Sequence, residues 1–426
     1  MRQNSPPCAR KGAKRPRLGA VCASRAFVVD VAGTALTPDE ERRLASPLVG
    51  GVILFARNFE SKEQLRRLCA QIKSAQSPSP VIFVDQEGGR VQRFKTGFAA
   101  LPPARAFERL AASEGLGAAK AAARRVGFLM ASELIECGVD MSFAPVADVA
   151  RIEFGPKHVI GDRSFGASPA VAAALSRAFG QGMREAGMAR CAKHFPGHGS
   201  ASGDSHLTTP AVEDSFEIIN RRDLPPFRAL IADGCESIMT AHVVCKARDP
   251  DNVASYSRPW IAGVLRRKLG FRGLVFSDDL GMAGAGAGRS PTERALKALE
   301  AGCEALLLCN LRCEPQDDPL REPNAGLLQT RIPILAPMAA AKLAALAAKP
   351  PRSFCFALAG NGRRAQKLAQ ARATAAKLAQ AKPAQSERDR AEAFRRASQT
   401  GAGKTTAEPA ANAQATFEDS GPANLG

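Results

Sequence analysis

Apolar residues recur along this chain in short continuous runs rather than in strict alternation. The runs fall at Phe27–Val31, Val52–Phe55, Val81–Val84, Met141–Pro145, Met188–Ala192, Ser237–Thr240, Leu274–Ser277 and Ala305–Leu308. Strands buried on both faces of a parallel sheet read this way. Helical spacing of apolar positions separates them, at Lys62–Ser74, Ala118–Cys137, Ala170–Ala186, Pro259–Leu269 and Thr292–Ala301. Eight strand–helix units over about 285 residues predict an α/β fold, a single (β/α)8 TIM barrel. An open doubly wound sheet competes with that reading, but no G-x-G-x-x-G follows the first run.

The pattern defines three segments. Residues 1–25 are basic and Pro-containing and are expected to be a disordered extension. Residues 26–345 are the expected barrel. Regularity collapses after Asn310, where prolines break up short apolar pieces. Residues 346–426 form an Ala/Lys-rich tail, expected to be largely disordered. An Ala-rich helix is expected within it near Arg363–Gln380.

A barrel reading places chemistry just beyond the strand ends, on one rim. Polar residues gather there: Asp30, Arg57, Asp85, Glu87, Arg90, Arg93, Asp148, Asp162, Arg163, His242, Asp278, Asp279 and Asn310. Any one of them could be a satisfied cap or salt bridge, but their shared position is hard to explain by structure alone. The richest stretch is Lys193-His194-Phe195-Pro196-Gly197-His198-Gly199, running on to Asp204-Ser205-His206. Pro196, Gly197 and Gly199 exclude a regular helix, so this stretch is expected to be a loop after the fifth strand. That break also removes the helical geometry that would set His194 and His198 side by side on a metal. Asp204 lies close enough in sequence to His206 to fix its tautomer and support its charged form.

Charge and composition narrow the function classes. The net charge is +18, but residues 1–26 hold seven Arg/Lys and no acid, and residues 311–426 carry a surplus of seven positive charges. The middle is close to balanced and needs no polyanionic partner. One Trp and one Tyr argue against a stacking platform for single-stranded nucleic acid. Eleven cysteines without a C-x-x-C pair read as small hydrophobes in a reducing cytoplasm. No run is long enough to span a membrane. The basic N-terminus has no apolar segment of signal-peptide type before Phe27. No P-loop or dinucleotide fingerprint appears. Carboxylates facing proton-transfer groups suit glycoside hydrolysis, and on chemistry alone the pair would be Glu87 and Asp278.

The motifs add a resemblance. PLVGGVILFARN (47–58), VDQEGGRVQRF (84–94), SFAPVADV (142–149), IGDRSFG (160–166), KHFPGHG with DSH (193–206), TAHV (240–243), FSDDLGM (276–282) and AGCEALLLCN (301–310) stand in one order. Over about residues 27–310 the chain resembles the bacterial family 3 glycoside hydrolases, and closely the cytoplasmic β-N-acetylhexosaminidases of peptidoglycan recycling. The resemblance implies a retaining, two-step mechanism. Asp278 is then the nucleophile, His206 the acid/base and Asp204 its partner, which displaces Glu87 from the catalytic pair. It assigns Asp85, Arg93, Arg163, Lys193 and His194 to the terminal N-acetylglucosamine. An imidazole with a pKa near 6.5 can give and take a proton at neutral pH. The Gly-rich surroundings of His206 suggest a loop that swings during the cycle.

The resulting expectation is a monomeric, cytoplasmic exo-enzyme. It would act on a GlcNAc–anhydro-muramyl peptide or related saccharide, with no cofactor, metal, specific nucleic acid or membrane partner. Phosphorolysis is the alternative within enzymes, because a histidine does not repel incoming phosphate as a carboxylate would. A non-catalytic protein that binds anionic polymers through its tails is the alternative outside them.

Overall fold

The structure is a computed structural model, and it describes residues 24–151, 159–201, 209–286, 288–310, 315–347 and 362–381. The expected basic extension and the last forty or so residues lie almost wholly outside that set, as does the stretch 202–208.

Eight parallel strands carry the fold. They are β1 (Phe27–Asp30), β2 (Val49–Leu54), β3 (Val81–Val84), β4 (Met141–Ser142), β5 (Cys191–Phe195), β6 (Ser237–Thr240), β7 (Leu274–Phe276) and β8 (Leu306–Leu308). Their ladders form two sheets rather than one continuous ring. One sheet has the order β8-β1-β2-β3-β4 and the other β7-β6-β5. Single parallel bridges stand at the two seams, Val146 with Lys193 and Phe276 with Ala305. The first seam is thin for a local reason: β4 runs for two residues, and Pro145 just beyond it has no N–H to offer. There the Ala147 amide donates to the Lys193 carbonyl, and the Cys191 amide to that of Ala144.

Between the sheets lies one aromatic cluster. Phe83 of β3 stacks on Phe143, with centroids 4.9 Å apart and planes 2° from parallel, and Phe276 of β7 meets both edge-on. All three are fully buried. Offset and edge-to-face contacts of this kind add specificity to a core already favoured by apolar burial.

The helices follow local rules. Helix α1 spans Pro38–Leu44 and α2 Lys62–Ser74. In α2, Leu65, Leu68, Cys69 and Ile72 share one buried face, and Ser61 caps the start by accepting from the Gln64 amide. Helices α3 (Arg105–Glu114), α4 (Leu116–Glu136) and α5 (Pro169–Ala186) follow. Helices α4 and α5 cross so closely that a Cβ at Gly182 would sit 2.0 Å from the Arg124 carbonyl oxygen. Next come α6 (Phe216–Arg222), α7 (Leu224–Ala232), a π-helix at Pro259–Lys268 and α8 (Pro291–Ala301). Helix α8 opens with a reciprocal Ser290/Glu293 capping box.

The stretch after Asn310, where the sequence pattern collapses, holds α9 (Asn324–Leu335) and α10 (Ala339–Ala344). Helix α9 carries Pro333 in its interior, which hid it from periodicity. A further helix, α11 (Gly362–Gln380), lies across α4. It buries Ala371, Ala375 and Leu378, spaced for one face, and is pinned by Lys367–Glu185, Arg372–Glu133 and Lys377–Glu114.

Candidate active site

Lys193 and His194 are strand residues. They belong to β5, not to a loop after it, and Lys193 is only 2% exposed. Reading the strand from its apolar run, Met188–Ala192, ended it just before Lys193. The charged side chains instead leave β5 for a polar cavity of about 460 Å³. Asp85, Arg93, Arg163, Lys193, His194 and Asp278 all line that cavity, and so does Glu87. Asp204 and His206 lie outside the described residues.

Each side chain arrives by its own route. Asp85 directly follows β3. The chain then turns in a hairpin pairing Gln86–Gly88 with Val91–Gln92. Buried Gln86 fixes this turn: its side-chain oxygen accepts from the Arg93 and Phe94 amides, and its nitrogen donates to the Phe94 carbonyl. The hairpin carries Glu87, and Arg93 follows it. Arg163 ends a short 3-10 turn, Gly161–Arg163. Asp278 lies two residues past β7.

The wall they form is a web of charge-assisted bonds. Lys193 Nζ lies 2.7 Å from Asp85 Oδ1 and 2.6 Å from Glu87 Oε1. Arg163 grips Glu87 with two nitrogens, each at 2.8 Å. Arg93 lies 3.7 Å from Asp85. Burial works against the charge on Lys193, but Asp85 and Glu87 outweigh it and raise its pKa. Burial likewise pushes Glu87 up, and Arg163 and Lys193 reverse this and hold it far below its ordinary value. Glu87 therefore has no proton to give, and both its oxygens already accept from buried cations, which disfavours it as the acid of the pair suggested by chemistry alone.

His194 is oriented from behind. Asp148, fully buried, receives its Nδ1 at 2.7 Å and also the His194 and His198 amides. Burial raises the Asp148 pKa, yet the two histidines bring it below the ordinary value. An ionised carboxylate only accepts, so Nδ1 carries the proton. His198 also lines the cavity, and burial lowers its pKa to about 4, so it is neutral at pH 7. Asp148 was visible in sequence only as a rim carboxylate. Its signal was one acid inside the apolar run Pro145–Ala150.

Asp278 is prepared as an anion. Burial alone raises its pKa, but His194, His242, the Asp279 amide and Lys193 bring it below the ordinary value. The Asp279 amide donates to Asp278 Oδ1 at 2.9 Å. His242 Nε2 lies 3.0 Å from the Asp279 carbonyl oxygen and steadies that peptide. Among the described residues no cluster of three or more His, Cys, Asp or Glu side chains is placed to hold a metal. No described helix is long and apolar enough to cross a membrane.

A cavity lined by an ionised carboxylate and by many hydrogen-bonding side chains fits a hydrolase acting on a polyol. The relatives agree. Residues 24–323 match the family described as Glycosyl hydrolase family 3 N terminal domain. The chain is 44% identical over 332 residues to a Beta-hexosaminidase of Aromatoleum aromaticum, covering 78% of this chain and 89% of that protein. It is 48% identical over 284 residues to a Beta-hexosaminidase of Methylococcus capsulatus, covering 66% and 81%. NagZ from Neisseria gonorrhoeae, solved in complex with N-trifluoroacetyl-D-glucosamine, superposes with a TM-score of 0.72 at 38% identity, over 84% of this chain and 98% of that one. The chain belongs to glycosyl hydrolase family 3. It is a glycoside hydrolase of the family's β-hexosaminidase branch.

Proposed function

We propose that this protein is a retaining exo-β-N-acetylglucosaminidase that releases terminal N-acetylglucosamine from GlcNAc-1,6-anhydro-muramyl peptides during peptidoglycan recycling. The observation that carries the reading is Asp278, held ionised in a cavity that Asp85, Arg163, Lys193 and His194 also line. In the first step the Asp278 carboxylate attacks the anomeric carbon while His206, charged and supported by Asp204, protonates the leaving oxygen. In the second step neutral His206 takes a proton from water, which attacks the same carbon and frees Asp278. Asp85 accepts from sugar hydroxyls, and Arg93, Arg163, Lys193 and His194 complete the contacts that fix the ring. The catalytic unit is taken as residues 26–345. Its two sheets are read as arcs of one eight-stranded barrel, supported by the bridges at both seams and the shared phenylalanine cluster.

Turnover of an aryl N-acetyl-β-glucosaminide by wild type, Asp278→Ala and His206→Ala tests the assignment, with the anomeric form of the product followed by NMR. The expected results are β-product from wild type, no turnover by Asp278→Ala, and a His206→Ala loss that grows as the leaving group becomes poorer. Inversion, or an active Asp278→Ala, overturns the mechanism.

A further inference from the structure

Glu87 lines the cavity, yet both its oxygens are spent on protein cations: Oε2 on Arg163 Nε, and Oε1 on Arg163 and Lys193. Its side chain is 6% exposed, that of Arg163 10% and that of Lys193 3%. Two cations this deep beside a cavity would by themselves form an anion site, because a guanidinium and an ammonium 3 Å from one point suit a phosphate or carboxylate. The remaining carboxylate on this wall, Asp85, is shared between Lys193 and the more distant Arg93. The Glu87 carboxylate thus occupies the place an anionic ligand would take.

We propose that Glu87 is a specificity-determining residue, an internal anion that together with Asp85 offsets the charge of Arg163 and Lys193 so that the cavity accepts a neutral sugar and rejects anionic ones. This deepens the reading above, since it takes Arg163 and Lys193 as sugar-binding groups. Two consequences follow from the geometry. With Glu87 ionised, the two cations are aligned but satisfied, so they donate their remaining hydrogens to hydroxyls without attracting phosphate. With a neutral, isosteric amide in its place, one oxygen still accepts from Arg163, but the amide nitrogen faces donors. One charge-assisted contact is then lost, although Lys193 keeps Asp85, and the wall becomes more positive by one charge.

The test is Glu87→Gln in the full chain, with inorganic phosphate as probe. Phosphate affinity is measured by calorimetry, and phosphate inhibition is measured against an aryl N-acetyl-β-glucosaminide. The expected result is a KM several-fold above wild type together with phosphate binding roughly 10-fold tighter than to wild type. A merely structural role for Glu87 predicts the first change without the second, and unchanged or weaker phosphate binding overturns the proposal. Glu87→Asp keeps the charge while retracting the carboxylate. Its phosphate affinity is expected within about 2-fold of wild type, and tightening there overturns the proposal even if Glu87→Gln fails to fold. Calorimetry needs no turnover, so a wild type inactive on the glucosaminide would sink the sugar assignment while leaving the charge-balance result readable.

Discussion

The Asp148 carboxylate lies 2.7 Å from Nδ1 of His194 and also binds the backbone amide of the same residue. One buried acid therefore sets both the tautomer of the imidazole and the path of the strand that carries it. Asp148→Asn keeps the size and one acceptor but presents an amide N–H to Nδ1. Activity on an aryl glucosaminide is expected to fall roughly 10- to 100-fold, mostly in kcat/KM. Asp148→Ala also strands buried donors and is expected to cost about 3 kcal/mol or more in urea unfolding. Wild-type activity in Asp148→Asn would show that His194 needs no orientation.

Asp279 stands next to the nucleophile, but its pKa is shifted in the opposite direction. Burial, with Asp278 and Asp30 nearby, raises its pKa to about 7, although the Gly281 and Cys309 amides both donate to its Oδ1. The folded protein thus holds a proton here that the unfolded chain releases near pH 4. Between about pH 4 and 7 stability from this group falls as pH rises, and above pH 7 the full penalty is present. Asp279→Asn keeps the acceptor and removes the titration. Its stability relative to wild type is expected to be higher at pH 8 than at pH 5, by about 2–3 kcal/mol. Denaturant unfolding at the two pH values checks this, and a pH-independent difference would rule out the raised pKa.

Helix α11 reaches the site wall indirectly. Arg372 donates to Glu133 Oε1 at 3.0 Å, and Glu133 Oε2 accepts from the Ala99 amide in the segment after the Glu87 hairpin. Lys62 lies 3.8 Å from the same carboxylate. Arg372 is half-exposed and Lys62 remains as a second cation, so Arg372→Ala is expected to cost only about 1 kcal/mol. Glu133→Leu leaves the Ala99 amide and two cations without an acceptor and is expected to cost about 3 kcal/mol. Equal effects in thermal unfolding would contradict this ordering.

The strands were legible because burial on both faces leaves a continuous apolar signature. β3 and β6 coincide with their runs, Val81–Val84 and Ser237–Thr240. β5 was displaced because its functional residues interrupt that signature: a buried lysine and histidine look like a loop until Asp85, Glu87 and Asp148 are seen to satisfy them. Glu87 could be misread as an acid for the same reason, since sequence shows a carboxylate but not the two cations that occupy it. Helices α6 and α7 lacked a long period, and Pro225 and Pro226 sit in the first turn of α7 where a helix tolerates them. Sequence also could not show the two-sheet ladders, because a one-bridge seam depends on where Pro145 falls against a neighbouring strand.

Gly199 gives the last test, because it is where the histidine-bearing segment presses on the Asp148 segment. A Cβ there would stand 2.0 Å from the Val149 carbonyl oxygen and 2.5 Å from its carbon. Both contacts are with backbone, so no rotamer change relieves them, and the two segments must separate. Separation would stretch the bond from the His198 amide to Asp148, now 2.8 Å, and with it the carboxylate that orients His194. Gly199→Ala is therefore expected to lose about 2–4 kcal/mol in unfolding and to lower kcat/KM by at least 10-fold, although it adds a single methyl group outside the cavity lining. Gly288→Ala serves as the comparison: it has positive φ but no atom within 4 Å of the added Cβ, so it is expected to lose about 1 kcal/mol with activity intact. Gly199 has no positive φ, so a loss no larger than that of Gly288→Ala would mean that the contact with Val149 does not govern the position.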